Sequence, residues 1–195
     1  MPTPTPPGDP TTRNPTVREL AEAAGRTVPD VLGPDLDVLF CGINPSLYSA
    51  ATGHHFARPG NRFWPVLHRS GFTDRQLRAT EDATLPAYGL GVTNLVARAT
   101  ARADELSRAE VIAGAARLTE LVATYRPRWV AVVGVTAYRV GYARPKAVVG
   151  PQPQTLAGAG LWVLPNPSGL NAHYQLDRLA YEYGMLRRAV TDRPG

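Results

Sequence analysis

Cysteine and lysine occur once each among the 195 residues, and each scarcity excludes a class of chemistry. One thiol, Cys41, cannot form an intrachain disulfide, a four-cysteine zinc site or a cysteine-ligated iron–sulfur cluster. Its place inside the apolar run "VLFCGI" reads as a buried, inert thiol. The one lysine, Lys146, lies in the distal "ARPKAVVG", so a Schiff-base mechanism has no suitably placed amine. The four histidines, His54, His55, His68 and His173, lack the i, i+4 spacing with Glu of a helical zinc motif, and no metal site is expected. No apolar run reaches the ~18 residues of a membrane span, and the N-terminus lacks the basic-then-apolar order of a secretory leader. The expectation is a soluble, cytoplasmic protein with no membrane partner.

What is present suits one well-cored domain. The composition is 44% hydrophobic, and 195 residues are ample for one core and short for two. The opening "MPTPTPPGDPTTRNP" has too little apolar content to offset its own ordering entropy, so residues 1–15 read as a disordered tail and 16–195 as the domain. The formal net charge is +5, carried by 21 basic residues of which all but one are arginine. Arginine forks suit phosphates and base edges, yet a bias toward Ala, Arg, Gly and Pro would produce the same arginine-rich solvated faces. Charge permits a nucleic-acid partner without requiring one.

Along the chain, four short β-prone runs, "DVLFCGI", "GVTNLV", "RWVAVVG" and "LWVLP", are apolar on both faces, as in parallel strands covered by helices. Helical patterns lie before and between them: "TVRELAEAA" capped by Thr16, "RFWPVLHRSGF", "SRAEVIAGAARLTELVATYR" opened by the capping box Ser107 to Glu110, and "VTAYRVGYA". A last helix spans about 174–190. This alternation predicts an α/β fold, a three-layer α/β/α sandwich around a mainly parallel sheet of four or five strands. Sites in such sheets lie beyond the C-terminal strand ends. Asn44 follows the first strand, Asn94 lies late in the second and Asn166 follows the last, so three amides are placed to converge. Asparagine also ends strands in Asx-turns, which is the competing account for any one of them. Both Asn-Pro-Ser triplets carry proline in the middle position and so fail as glycosylation acceptors.

The stretch "GINPSLYSAATGHHFARPGNRFWPVLHRSGF" (Gly42 to Phe72), together with "LPNPSGLN" (Leu164 to Asn171), resembles the mismatch-specific uracil/thymine DNA glycosylases, the second family of the uracil-DNA glycosylase superfamily. The resemblance implies a monofunctional hydrolase without cofactor that flips uracil out of mismatched DNA and cuts its glycosidic bond. Its implied partner is double-stranded DNA with G·U mismatches, single-stranded DNA being an open alternative, and its implied state is a monomer. In a bacterium it would be nucleoid-associated. Two rivals remain: a non-catalytic DNA-binding module of the same fold, and a glycosylase specialised for deaminated purines.

By this resemblance Asn44 holds the attacking water through its side-chain oxygen, and since an amide cannot take the water's proton as a carboxylate can, slow turnover is expected. Phe56 stacks on the flipped base, with an ordinary core phenylalanine as the competing reading. Ile43 and Phe56 offer backbone groups to the uracil edge. Asn94 reads the base, donating to O4 and accepting from N3–H, a pattern cytosine reverses. Asp104, in the loop before the capping box, is a candidate auxiliary carboxylate for water or the cationic sugar, against a plain solvated acid. Asn166 bonds the base or flanking backbone. Ser168 suits a phosphate, Gly169 a close backbone approach and Leu170 an apolar wedge, followed by Asn171; a buried staple under the last helix is the other reading of Leu170. His54 and His55 are expected at the pocket mouth or in solvent. Two departures stand out: Ser46 replaces the family's usual glycine, and Ala172 occupies a position where an arginine is frequent.

Overall fold

The computed structural model describes residues 13–192. Five strands form one sheet: β1 (Val38–Gly42), β2 (Leu90–Asn94), β3 (Trp129–Val133), β4 (Gly150–Leu156) and β5 (Ala159–Leu164), in the order β2-β1-β3-β5-β4. The pairs β1/β2, β1/β3 and β3/β5 are parallel, and β4 pairs antiparallel with β5. The three-layer α/β expectation therefore holds, with five strands. The strand not legible beforehand is β4, "GPQPQTL", because it has two prolines and little apolar content. Proline is tolerated there because β4 is the sheet edge, where one side of the strand has no ladder to donate to.

Helices are α1 (Val17–Glu22), α2 (Leu47–Thr52), α3 (Phe63–Arg69), α4 (Arg108–Tyr125), α5 (Val135–Gly141) and α6 (Leu176–Thr191), with 3-10 helices at Ala79–Tyr88 and Ala103–Glu105. The pleat divides the strands between two cores. Val38, Phe40, Ala131, Val133 and Leu164 pack with α3 and α6, while Leu39, Cys41, Val130, Val132 and Val163 pack with α4 and α5. Every residue of β1, β2 and β3 is buried, as the uninterrupted apolar runs required. Cys41 is fully buried, and burial pushes its thiol pKa well up, in keeping with an inert thiol.

The caps at Thr16 and Ser107 form as read, each a reciprocal box with a glutamate three residues on. Helix α2, no shorter than α1, was not read because it lacks the reciprocal glutamate box that announces α1. Its cap is Ser46, whose Oγ accepts the Ser49 N–H at 3.1 Å. With φ −70° and ψ 160°, position 46 needs no glycine, and the serine there starts a helix. The predicted tail needs correction in part: residues 1–12 lie outside the described residues, but Arg13 pairs with Glu19 and the Asn14 Oδ1 accepts from the Tyr48 hydroxyl at 2.7 Å. The described fold thus begins before Thr16.

Candidate active site

The C-terminal ends of β1, β2 and β5 open into a cavity of about 610 Å³. Ile43, Asn44, Phe56, Asn94, Asp104, Asn166, Ser168 and Leu170, all singled out from sequence, line it together. Gly169 and Asn171 belong to the same loop as Ser168 and Leu170 without lining the cavity itself.

The Asn44 amide is oriented by its surroundings. Its Nδ2 donates to the Arg98 carbonyl at 3.1 Å and to Thr100 Oγ1 at 2.7 Å. A carbonyl only accepts, and Thr100 has committed its own proton to the Arg102 carbonyl at 2.7 Å, so both partners demand an N–H from Asn44. The network therefore assigns the amide, and Oδ1 is the end with no partner among the described residues. Thr100 was missed by the sequence reading; nothing in "VARATARA" distinguishes it until the Ser46 to Thr100 bridge brings it beside β1.

Asn94 is 6% exposed and sits on a built floor. Its Nδ2 lies 3.3 Å from Nδ1 of His55, whose Nε2 lies 2.9 Å from the Pro29 carbonyl. That carbonyl requires the proton on Nε2, leaving Nδ1 to accept from Asn94. His55 is 2% exposed, which corrects its expected place at the mouth: it is the floor beneath Asn94. Burial holds its pKa below the ordinary histidine value, keeping it neutral. The buried Asp82 secures the turn, its Oδ2 accepting the His55 backbone N–H at 3.0 Å and its Oδ1 facing His54 Nδ1 at 3.1 Å. From behind, Arg117 on α4 donates to the Asn94 carbonyl at 3.1 Å and pairs with Asp30 at 2.6 Å. One N–H and the Oδ1 of Asn94 have no partner among the described residues.

Phe56 packs on the core and also faces the cavity. Its ring lies on the buried Phe63 at 4.0 Å between centroids and 21° between planes, while the residue lines the cavity. It adopts φ +53°, uncommon for a bulky side chain and of the order of 1–3 kcal/mol in cost, so the surrounding turn must hold it. A side chain at Gly42 would displace its neighbours in the cavity. A Cβ on it would fall 2.6 Å from Asn94 Oδ1 and 3.3 Å from the Phe56 ring, which places these two side chains directly over the end of β1.

Asn166 is arranged the opposite way to Asn44. Its Oδ1 accepts the Ser168 N–H at 3.0 Å in an Asx-turn, leaving Nδ2 with no partner among the described residues. Its carbonyl accepts from Asn171 Nδ2 at 2.9 Å, and Ser168 Oγ from the Leu170 N–H at 3.3 Å. Leu170 is 74% exposed, which rules out the buried staple. Asp104 stands on the rim in the 3-10 turn, largely exposed, with its carboxylate paired to Arg102. Ile43 uses its carbonyl to accept the Val96 N–H at 2.9 Å, extending the β1/β2 ladder into the site. Among the described residues no group of three or more His, Cys, Asp or Glu is placed to hold a metal.

A family model, the uracil DNA glycosylase superfamily, matches residues 29–188, a span holding every one of these side chains. The chain belongs to the uracil DNA glycosylase superfamily. Members of that superfamily are DNA glycosylases, hydrolases acting on DNA. A solution NMR structure from Methanosarcina acetivorans, provisionally named a uracil DNA glycosylase, aligns with a TM-score of 0.58 at 18% identity, covering 84% of this chain and 97% of its own. At that identity it speaks for the superfamily's fold alone.

Proposed function

We propose that this superfamily member is a monofunctional, mismatch-directed uracil DNA glycosylase. The observation that carries the reading is the Asn44 amide: both N–H groups are bound to acceptors, so a lone oxygen is presented at the cavity that also holds Phe56 and Asn94. A uracil flipped onto Phe56 would meet one N–H and one Oδ1 of Asn94, complementary to O4 and N3–H. Cytosine offers a donor and an acceptor in the reverse order and would leave both polar pairs mismatched.

The reaction breaks the bond between C1′ and N1, with its electron pair leaving on the base, while a water oxygen bonds to the oxocarbenium-like C1′. Asn44 Oδ1 orients that water, and the water's proton passes to solvent because an amide does not accept it. In this reading the Asn166 Nδ2 donates to the departing base, a neutral donor and thus weaker help than a cation. Asp104, paired with Arg102 on the rim, is an auxiliary at most. Leu170 fills the stack that the flipped nucleotide leaves.

The test is release of base from single-stranded and paired oligonucleotides carrying uracil, thymine, hypoxanthine or xanthine, scored by alkaline strand cleavage. Uracil opposite guanine is expected to be the best duplex substrate, with activity retained in excess chelator and no borohydride-trapped adduct. A preference for the purines would favour the deaminated-purine reading. Absence of cleavage on every substrate, with DNA binding intact, would leave the non-catalytic module.

A further inference from the structure

Arg62, the residue before α3, does not line the cavity yet makes four hydrogen bonds to the β5–α6 loop. Its Nη1 donates to the Tyr174 carbonyl at 2.6 Å, and its Nη2 to the Asn171 carbonyl at 2.9 Å and to the Ser168 carbonyl. Its backbone N–H donates to the Pro167 carbonyl at 2.9 Å. Four carbonyls between residues 167 and 174 therefore converge on one residue. A second contact sets the same two loops together: a Cβ at Gly169 would lie 2.6 Å from the Gly60 carbonyl oxygen, so only glycine allows this approach.

The direction of those carbonyls has a consequence at the surface. The described chain has no cis peptide, and in a trans peptide the N–H points opposite to the C=O. Turning the carbonyls of Ser168, Asn171 and Tyr174 inward to Arg62 turns the N–H groups of Gly169, Ala172 and Gln175 outward. All three residues are exposed, and none of these N–H groups has a partner among the described residues. They flank Leu170, itself exposed without apolar cover.

We propose that Arg62 is the positioning residue of the wedge: its guanidinium holds the 167–174 loop so that Leu170 projects and the outward N–H groups meet phosphate oxygens of a DNA duplex. The backbone thereby supplies phosphate contacts at a place where Ala172 has no charged side chain to offer. The planar fork is needed because the three side-chain contacts reach carbonyls spread over seven residues, which a single ammonium cannot span. The same segment also carries Phe56 and leads into Phe63 beneath it, so the platform for the flipped base and the support of the wedge are one continuous piece of chain.

The inference rests on the DNA-cleaving reading above, and its test separates the two. Arg62→Ala and Arg62→Gln are compared with wild type for single-turnover cleavage of uracil in duplex and in single strand, for affinity toward an uncleavable duplex, and for amide hydrogen exchange. The expected result is a loss of roughly tenfold or more on duplex alone, faster exchange of the 168–175 amides with β1 and β3 unchanged, and no further duplex loss when Leu170→Ala is added. Arg62→Lys is expected to recover little. Equal loss on both substrates, or unaltered exchange in the loop, overturns the proposal. If wild type cleaves neither substrate the glycosylase reading fails, and exchange together with duplex affinity still decides whether Arg62 holds the loop.

Discussion

The two Asn-Pro-Ser triplets follow β1 and β5, two strands of one sheet that run parallel on either side of β3, and do opposite things with the same side chain. After β1, Asn44 spends its two N–H groups on Arg98 and Thr100 and presents an oxygen. After β5, Asn166 spends its oxygen on Ser168 N–H and presents its amide NH2. The serines diverge as well: Ser46 caps α2, whereas Ser168 steadies an exposed turn bearing Leu170. An identical tripeptide thus presents an acceptor to the cavity at one end and a donor at the other. The difference lies in what faces it, since carbonyls and a committed hydroxyl can only accept, and a backbone N–H can only donate.

The strongest way to break this comparison is to remove the acceptor. Asn44→Ala is expected to lower single-turnover cleavage by at least ~10²-fold with duplex affinity and melting temperature near wild type. A parallel fall in binding would make Asn44 a structural cap for the Arg98–Thr100 segment instead. Leu170→Ala tests the other arm: paired uracil should be cleaved roughly tenfold more slowly, unpaired uracil nearly as before, because a single strand has no vacated stack to fill. Its 74% exposure predicts almost no change in melting temperature, whereas a buried leucine would cost about 2–5 kcal/mol on truncation.

A subtler probe is pH. His55 is buried with its pKa lowered in the fold, so below the unfolded value of about 6.5 the unfolded chain binds the proton more readily. The contribution of His55 to stability is therefore full above about pH 6.5 and lost as pH falls through its folded value. Protonation would also put a second N–H against the Nδ2 of Asn94, forcing that amide to turn. Wild type should lose thermal stability and uracil selectivity together on acidification below pH 6.5, and His55→Gln should flatten the dependence. The smallest effect is expected of Asp104→Asn, within about threefold on the chemical step, since the carboxylate is solvated and paired with Arg102. A loss confined to that step and much larger than this would move Asp104 from rim to mechanism.

Much of this was legible in the chain. Uninterrupted apolar runs gave four strands their burial on both faces, Thr16 and Ser107 announced their helices, and the residues after the strand ends assembled at one cavity because parallel strands deliver their C-terminal ends to one edge. The edge strand β4 was hidden by its prolines, and α2 by the lack of a reciprocal glutamate box. Thr100 against Asn44, His55 under Asn94 and Arg62 behind the 167–174 loop take their meaning from partners many residues away. No local pattern records such a partner.

The amino-acid order by itself determined the periodicity, the caps and the positions from which amides could reach a common crevice, because those follow from local geometry and from which surfaces must leave water. Tertiary structure alone decided which end of each amide faces the crevice, which histidine is buried and neutral, and which arginine holds a loop from behind. These are choices between nearly isoenergetic side-chain states, and they are settled only when a fixed donor or acceptor from elsewhere in the fold is brought within hydrogen-bonding distance.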